Sequence, residues 1–395
     1  MIAQSPPANE QSITHPPTAR GHWNIGATTI KKMTAAPGTL YVGLLTHGSI
    51  YQVKAIDTRT GEQLWSTDPP SGTLTSADFE LVGDELVVIS GDANAAQPHT
   101  TFAFYDRSSG AAHDVVSIPG GPPRSTVDSF VVNDTADGKL ELRTIDPTRR
   151  AVSDPVPIDN YVVTNDGTFV AMRDGMFDEP DALTMRPTNN VRYPHPSDAQ
   201  SITHTDDGHF VAADGGVITG FDSTGAAAWT FDPGIGTEVE LQALGEDIVM
   251  ASSTTQFRPI EFTEHEAHPA SEIYDGTVYV GKREPGAVPT FLMDWMGGRH
   301  IVTVQHHITL GLGQVPGLDD PLVAVIGHVL YTSARPDEDD LTTPQPPLQA
   351  FDATTGAKLW ELPLQPGERV FLEQDGFAVY ANREDAAELT PYIEG

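Results

Sequence analysis

Residues 53–65 read VKAIDTRTGEQLW and residues 348–360 read LQAFDATTGAKLW, so the same pattern occurs near both ends of the chain. Both stretches fit Ala-x-Asp-x-x-Thr-Gly-x-x-x-Trp, and residues 219–229, TGFDSTGAAAW, repeat it with one residue deleted. The apolar residues around the Thr-Gly pair alternate with a period of two, whereas a helix needs a period of 3.6. The pattern therefore predicts a β-hairpin.

The shared residues of this pattern suit the turn of a hairpin. An Asp at the end of a strand accepts hydrogen bonds from the backbone N–H groups ahead of it, which forms an Asx turn. Gly adopts the positive φ angle of a tight turn, and the Trp of the second strand packs on a neighbouring element. We predict structural roles for the Asp and Gly residues of the three copies, which are Asp57, Gly61, Asp222, Gly225, Asp352 and Gly356.

Less complete copies of the motif recur along the chain at a regular spacing. Two of them keep an Asp with a Gly four residues later, one keeps only the Asp, and two further positions are interpolated. The eight markers obtained in this way are Asp57, Asp106, Asp146, Met185, Asp222, Phe262, Asp294 and Asp352. Their mean spacing is about 42 residues. A period of 40–45 residues with four short strands per repeat is typical of a β-propeller.

The markers predict an all-β, eight-bladed β-propeller with four-stranded antiparallel blades. Seven blades or a ninth partial blade stay open, because the strands near residues 371–380 have no marker. Those strands either form a ninth fragment or close the ring by pairing with N-terminal strands, since closure removes free sheet edges. We assign residues 1–20, with four Pro, to a flexible tail and residues 21–395 to a single propeller domain.

Composition excludes several classes of protein. The formal net charge is −33, from 22 Lys and Arg against 55 Asp and Glu, which disfavours binding to nucleic acid and to anionic lipid. The absence of Cys excludes disulfides, thiolate metal sites and Cys nucleophiles. No stretch of the sequence approaches the roughly 18 apolar residues that span a bilayer, so we predict no direct membrane insertion by this segment.

The repeats resemble those of the PQQ-like β-propeller family. That family contains the quinoprotein alcohol dehydrogenases and also the BamB-like lipoprotein of outer-membrane assembly, which is not an enzyme. The resemblance extends over the rhythm of residues 21–395 and the motif of three repeats. It implies that Trp65, Trp229 and Trp360 dock one blade on the next. It also implies a location outside the cytoplasm, with the protein either secreted or anchored by a segment upstream of Met1.

Catalysis on this fold would need further residues. Quinoprotein dehydrogenases place PQQ and Ca²⁺ on the propeller axis, and many stack a disulfide of adjacent Cys residues on the quinone, which a chain without Cys cannot form. His265 and His268, with Glu neighbours, have a spacing that zinc uses. The adjacent His306 and His307 would point to opposite faces of a strand. There is no Walker loop and no nucleophile elbow. We predict no catalytic, cofactor-binding or metal-binding residues.

Insertions favour a binding function. We place the insertions at residues 91–100, 281–290 and 334–347 between the second and third strands of their blades, and a fourth at residues 308–320 between blades. All four would then share one face, and long loops on one face of a rigid scaffold commonly bind partners. The candidate partner-binding residues are Arg335, Asp337, Glu338, Asp339 and Asp340.

We therefore predict a monomeric, non-catalytic binding or scaffold propeller that carries no cofactor and acts outside the cytoplasm in a cell-envelope protein assembly. Because the chain is so acidic, its protein partner, a membrane or envelope complex, should present Lys or Arg at the contact. Two alternatives stay open. One is a PQQ- and Ca²⁺-dependent quinoprotein dehydrogenase, and the other is a secreted propeller that binds a small ligand or carbohydrate.

Overall fold

The computed structural model describes residues 19, 21–25, 29–46, 50–67, 76–91, 99–121, 123–126, 129–136, 139–164, 168–181, 184–187, 191–194, 201–205, 207–280, 282–283, 290–295, 298–305, 308–315, 321–326, 328–334, 346–373, 376–382 and 387–393. The regular elements in these residues are β-strands, which form nine sheets. None of the described segments is a helix long and apolar enough to cross a membrane. We call the sheets blades 1 to 9 in chain order.

The first four blades contain strands that are consecutive along the chain. Blade 1 consists of β2 (Thr29–Ala36), β3 (Thr39–Thr46), β4 (Ile50–Asp57) and β5 (Gln63–Ser66). Blade 2 consists of β6 (Ser76–Val82), β7 (Glu85–Gly91), β8 (His99–Asp106) and β9 (Ala112–Pro119). Blade 3 consists of β10 (Arg124–Ser125), β11 (Phe130–Ala136), β12 (Lys139–Asp146) and β13 (Ala151–Val152), with β14 (Val156–Pro157) also paired to β12. Blade 4 consists of β15 (Asn160–Val163), β16 (Phe169–Arg173), β17 (Met176–Asp178) and β18 (Tyr193–Pro194).

The next four blades repeat this meander. Blade 5 consists of β19 (Ser201–His204), β20 (Phe210–Asp214), β21 (Val217–Phe221) and β22 (Ala227–Phe231). Blade 6 consists of β23 (Glu240–Ala243), β24 (Ile248–Ser252), β25 (Gln256–Phe262) and β26 (Ala267–Pro269), with β27 (Tyr274–Asp275) also paired to β25. Blade 7 consists of β28 (Val278–Tyr279), β30 (Thr290–Trp295), β31 (Gly298–Gln305) and β32 (Ile308–Val315). Blade 8 consists of β33 (Pro321–Ile326), β34 (Val329–Ala334), β35 (Leu348–Asp352) and β36 (Lys358–Leu362), and β29 (Lys282–Arg283) joins it in parallel beside β33.

Blade 9 joins the two ends of the chain. Its first three strands are β37 (Glu368–Glu373), β38 (Gly376–Ala381) and β39 (Glu388–Ile393), and its fourth is the N-terminal β1 (Trp23–Asn24). Trp23 pairs with Leu389, and Asn24 pairs with Glu388, in antiparallel register. The ammonium of Lys54 in blade 1 donates to the carbonyl of Ile25 at 2.7 Å, just beyond this added strand.

The antiparallel, four-stranded propeller is confirmed, but the number of eight blades is wrong. The eight markers of the sequence fall one in each of blades 1 to 8, so they missed only blade 9. That blade has no Asp…Gly turn because its fourth strand comes from the other end of the chain, and no hairpin leads into it. The two options that the sequence left open for the strands near residues 371–380 therefore occur together: they form a further blade, and they close the ring.

Apolar contacts join every blade to the next. Trp65 and Val53 of blade 1 pack with Phe79 and Leu86 of blade 2, and eight comparable clusters join the remaining neighbours around the ring. One of them joins Leu389 of blade 9 to blade 1. A single four-stranded sheet has two faces and buries neither alone, so this closed cycle of contacts is what supplies the core.

The two sides of the ring hold different connections. On the turn face, the connection between the first two strands of a blade lies beside the connection between its last two strands. In blade 1, for example, the N–H of Thr58 donates to the carbonyl of Gly38 at 3.1 Å. The loop face holds the connections between second and third strands and the links between blades. There the N–H of Gly276 donates to the carbonyl of Thr255 at 2.9 Å.

First strands surround the axis of the ring. The backbone N–H of Leu241 in β23 donates to Ser201 Oγ in β19 at 3.0 Å, so the first strands of blades 5 and 6 are adjacent. A first strand has one partner within its own blade, and its other edge faces the central channel. In blade 8 that inner edge carries β29, because Lys282 and Arg283 lie opposite Ala324 and Val325. The channel therefore contains an extra segment of the chain.

Ring closure gives the first testable prediction. Trp23 lies over the turn of blade 1, where its Nε1 is 2.3 Å from the place that a Cβ on Gly61 would take. Trp23→Ala should lower the free energy of unfolding by about 3 kcal/mol, the low end for a Trp in a core, because the ring is only partly buried. Urea denaturation checks this. Leu64→Ala is the control, because Leu64 is 51% exposed on the fourth strand of blade 1 and should change stability by less than about 0.5 kcal/mol. Equal midpoints for the two variants would contradict the closure described above.

Candidate functional site

The motif Asp residues form the turns on the turn face. Asp57 Oδ1 accepts the N–H groups of Arg59 and Thr60, both at 2.8 Å, and the carbonyl of Asp57 accepts the N–H of Gly61. Asp222 and Asp352 do the same in blades 5 and 8. These bonds favour the charged carboxylate. They lower the pKa of Asp57, chiefly through the backbone of Thr60, and that of Asp222, chiefly through the hydroxyl of Thr224.

In blades 1 and 2 the Gly that ends the turn lies under the fourth strand of the preceding blade. A Cβ on Gly110, where φ is +68°, would come within 2.6 Å of the Trp65 ring. The indole N–H of Trp65 donates to the carbonyl of Arg107 in the same turn at 3.2 Å. Gly225, with φ +86°, is covered in the same way by Val191 and the carbonyl of Arg192. Gly at these positions therefore serves both the turn and the approach of the neighbouring blade.

All three motif Trp residues are buried at blade interfaces. Their exposed fractions are 9% for Trp65, 7% for Trp229 and 5% for Trp360. The ring of Trp229 lies 5.2 Å from that of Phe262 in blade 6, and Trp360 packs with the cluster that includes Val379 of blade 9. Sequence reasoning missed that Trp23 occupies the same position, because its strand and its partner strand are at opposite ends of the chain.

Two blades place a larger residue where others have Gly. Arg150 (φ +51°) and Met185 (φ +52°) end the turns of blades 3 and 4. The turn of blade 4 begins at Asp181, whose Oδ1 accepts the N–H of Thr184 at 2.8 Å. The interpolated marker Met185 was therefore wrong by four residues: it is the counterpart of the motif Gly. Its side chain is 2% exposed and packs with Leu142 of blade 3.

Arg150 makes the corresponding contact with blade 2 through charge. Its Nη2 lies 2.7 Å from Glu85 Oε1 and 2.7 Å from Nδ1 of His113, and its Nη1 lies 3.4 Å from Asp114. Hydrogen bonding to Glu85, with Asp114 beside it, raises the pKa of Arg150. Blade 1 contacts the turn of blade 2 by placing the indole of Trp65 on Gly110. Blade 2 contacts the turn of blade 3 by surrounding the guanidinium of Arg150 with a His and two carboxylates. The two interfaces thus have the same position and different chemistry.

The marker Asp294 and two of the insertions lie in positions other than those predicted. Asp294 is the second-last residue of the second strand of blade 7 and lies opposite Arg299 of the third strand, so it is near the loop face and not in the motif position. The insertion at residues 281–290 lies in the chain between the first and second strands of that blade, and not between its second and third, while residues 308–315 form its fourth strand. The reason is that blade 7 has a first strand of only two residues, which no period in the sequence marks.

The other two insertions lie in the chain between the second and third strands of their blades. They connect the second and third strands of blades 2 and 8, after Gly91 and after Ala334. The candidate partner-binding residues Arg335, Asp337, Glu338, Asp339 and Asp340 lie outside the described residues. So do His306 and His307, and all of the predicted tail except Ala19.

The strands nearest the axis carry a different balance of charge from the rest of the chain. First strands and β29 carry six of the 22 cationic residues of the chain but only five of its 55 acidic residues. The cations are Lys31, Lys32, Arg124, Lys282, Arg283 and Arg369, and the acids are Asp78, Glu80, Glu240, Glu368 and Glu373. The described first strands and β29, taken together, are thus close to neutral in a protein whose net charge is −33. This contrast makes the channel a candidate binding site beside the loop face.

The described residues do not bring together three or more metal-ligating side chains. His268 Nε2 is 3.3 Å from Glu266 Oε1, and both side chains are more than half exposed on the turn face of blade 6. The described residues likewise contain no cluster of three acidic side chains of the kind that holds Ca²⁺.

Acid titration offers a test of the turns. Hydrogen bonds from the hydroxyls of Ser108 and Ser109 and from the backbone N–H of Ser109 lower the pKa of Asp106 from 3.8 to about 2. A folded-state pKa below the unfolded one contributes stability that is present above about pH 4 and lost as the pH falls towards about 2. Asp106→Asn should therefore reduce the loss of thermal stability between pH 4 and pH 2.5. The control is Asp247→Asn, an exposed residue on the turn face of blade 6, and its melting curves should follow those of the wild type. If the Asp106 variant also loses stability with the wild-type slope, this turn does not hold a charged carboxylate.

Comparison with known proteins identifies no family for this chain. No protein-family model matches the chain, and no curated protein matches it. Solved structures do match, among them one described as the β-propeller domain of Cps50 (Swd1) from Myceliophteria thermophila. The match has 11% sequence identity and a TM-score of 0.43, and covers 96% of this chain and 100% of that one. The sheet topology of the chain itself is that of a β-propeller.

Proposed function

We propose that this protein is a non-catalytic binding or scaffold propeller that recognises a protein partner through its loop face. The observation that carries the proposal is the use of the repeated residues. The Asp, Gly and Trp of the motif are engaged in turns and blade contacts, on the turn face and at the interfaces. Recognition is then left to residues outside the repeat, and insertions outside the repeat are what the loop face adds to the scaffold.

The arrangement of blades supports a localised binding region. The insertions after Gly91 and Ala334 belong to blades 2 and 8, which are separated only by blades 9 and 1. The acidic residues of the second insertion, from Asp337 to Asp340, would give this sector a strongly negative potential. A partner with Lys or Arg at the contact is therefore favoured, and charge would steer its approach.

We further propose that the protein belongs to the non-enzymatic branch of the PQQ-like repeat propellers and acts outside the cytoplasm in a cell-envelope assembly. Support comes from the motif itself, because its residues are used in one consistent way in blades 1, 5 and 8. The scaffold needs no disulfide, and the nine clusters that join its blades are apolar.

A charge-neutralised loop tests the partner proposal. Crosslinking in cell envelopes followed by mass spectrometry identifies the partner, and surface plasmon resonance measures its association. The quadruple variant Asp337→Asn, Glu338→Gln, Asp339→Asn and Asp340→Asn should slow association about tenfold at 0.01 M salt. Much less difference is expected at 0.15 M, since the Debye length shortens from about 30 Å to about 8 Å.

The matched control removes four negative charges from the turn face. It combines Glu62→Gln, Asp84→Asn, Glu264→Gln and Glu266→Gln, which are exposed residues of turns in blades 1, 2 and 6. A stronger truncation removes residues 336–346, which should leave blade 8 folded because the pairing of β34 with β35 ends at Thr332 and Gln349, outside the deleted segment. If the control slows binding as much as the loop variant, or the truncation binds like the wild type, the interface is elsewhere.

The same proposal predicts the absence of quinone catalysis. Purified protein mixed with PQQ and Ca²⁺ should show no dye-linked oxidation of alcohols or sugars, because the ligand set is not assembled in the described residues. Isothermal titration calorimetry should likewise show no stoichiometric PQQ binding. Stoichiometric binding with turnover would replace the scaffold proposal by the dehydrogenase alternative.

A further inference from the structure

The outermost strand of blade 2 is a long sheet edge. In the described part of the chain, β9 and β32 have eight residues each, whereas the fourth strands of the other seven blades have two to five. Among the described residues, no strand pairs with β9 on the side away from β8. The edge of a sheet presents a row of backbone groups without ladder partners, which is what a further strand needs in order to join the sheet.

The hydrogen bonds of blade 1 show which backbone groups of β9 point outwards. In blade 1 the N–H of Thr67 points into the sheet, where it donates to the carbonyl of Val53 at 2.9 Å. Val116 is the counterpart of Thr67 in blade 2, because both lie six residues after the Gly of their turn. The direction of the backbone groups alternates along an antiparallel strand. The N–H and C=O groups of Val115 and Ser117 therefore point away from β8, towards the open side of the edge.

The side chains of these two residues are accessible as well. Val115 is 67% exposed, the highest value for a large hydrophobic residue in the described part of the chain. Ser117 is exposed, and its Oγ accepts the hydroxyl of Thr101 at 3.2 Å. Such close side chains on directly opposite residues suit a pair without backbone hydrogen bonds, which agrees with the outward direction of the Ser117 backbone. Val116 and Ile118 instead pack with the cluster that joins blade 2 to blade 3.

Both ends of this edge are blocked against further pairing. Ala103 pairs with Val115 but Tyr105 pairs with Ala112, so β9 has an extra residue, a β-bulge, at positions 113–114. At the other end, Pro119 has no N–H to donate. Bulges and Pro residues prevent an edge from pairing without limit. The edge between them therefore accepts a short segment and does not template a continuing sheet.

Charge favours a basic segment over a second copy of this chain. Asp114 is next to Val115, and its side chain is 61% exposed. Two chains with a net charge of −33 each would repel one another, whereas Lys or Arg would be attracted. The edge also ends at the loop face, because Pro119 pairs with His99, the first residue of β8 after the insertion that follows Gly91. A segment bound along β9 would thus lead to the loop-face region of the proposed partner.

We propose that the outer edge of blade 2 binds an extended segment of a partner protein as a fifth strand. The backbone of this segment bonds to Val115 and Ser117, an apolar side chain of the segment covers Val115, and a Lys or Arg lies near Asp114. In strand addition of this kind, main-chain hydrogen bonds supply the affinity and alternate side chains supply the selectivity. The inference rests on the proposed scaffold function for the partner in the cell, but the edge itself is testable without that partner.

Fluorescence anisotropy with a labelled peptide tests the edge. The probe is Lys-Val-Thr-Val-Lys, and its analogue is the same peptide N-methylated at the three central residues, which keeps the charge and removes the N–H groups. At 0.15 M salt the probe should bind with a stoichiometry of one and the analogue about tenfold more weakly or not at all. Val115→Pro and Ser117→Pro should each weaken binding of the probe about tenfold. Their melting temperatures should stay close to that of the wild type, because each removes an N–H that the sheet does not use.

The matched control is Thr230→Pro. Thr230 is exposed on the fourth strand of blade 5, five residues after Gly225, as Val115 is five residues after Gly110, and this variant should bind the probe like the wild type. The quadruple variant of the acidic loop should also bind the probe normally, so the two proposals fail independently. The strand proposal is overturned if the analogue binds as well as the probe, or if Thr230→Pro weakens binding as much as Val115→Pro. Analytical ultracentrifugation that finds a dimer, lost in Val115→Pro, would assign the edge to a second copy and overturn the proposed occupant.

Discussion

Apolar contact between the faces of successive sheets is the interaction on which this protein depends. A blade of four short strands cannot bury both of its faces, so each is stable only between two neighbours. At the outer edge of the blades, on the turn face, the fourth strand of one blade also covers the turn of the next blade, as Trp65 covers Gly110. We call this the rim contact. The Asx turn is therefore part of the interface. Its Asp holds the backbone in the shape that lets the neighbouring ring approach.

The sequence predicted the class of fold because the rim contact has a local signature. Asp, Gly and Trp at fixed spacing mark both the turn and the strand that leaves it, and these residues recur where blades 1, 5 and 8 turn. Blade 9 was missed because its fourth strand is distant in sequence from the other three. Met185 was misplaced because a Met can end this turn when its side chain is received by blade 3. Strand pairing between the two ends of the chain determines blade 9, and a contact with blade 3 determines the turn at Met185. Neither interaction produces a repeated pattern in the sequence.

The candidate sites were less accessible to sequence reasoning than the fold. The insertion at residues 281–290 looked like the other loops, yet part of it pairs with the inner edge of blade 8. A sequence reveals the sign of the total charge, whereas the separation of an acidic exterior from a nearly neutral axis depends on which strands come first in each blade.

Closure through β1 has a consequence for the order in which the molecule forms. β1 precedes the strands of the other eight blades in the chain and its three partners follow them, so Trp23 must wait for Leu389 while those blades are made. Contacts between the ends of a chain are slow to form, because a long loop must close before they contribute. Until then blade 1 lacks its neighbour, and its apolar face, with Ile30 and Leu40, stays open to water. The ribosome-bound chain is thus an incomplete ring, vulnerable to pairing with other chains until its last residues emerge.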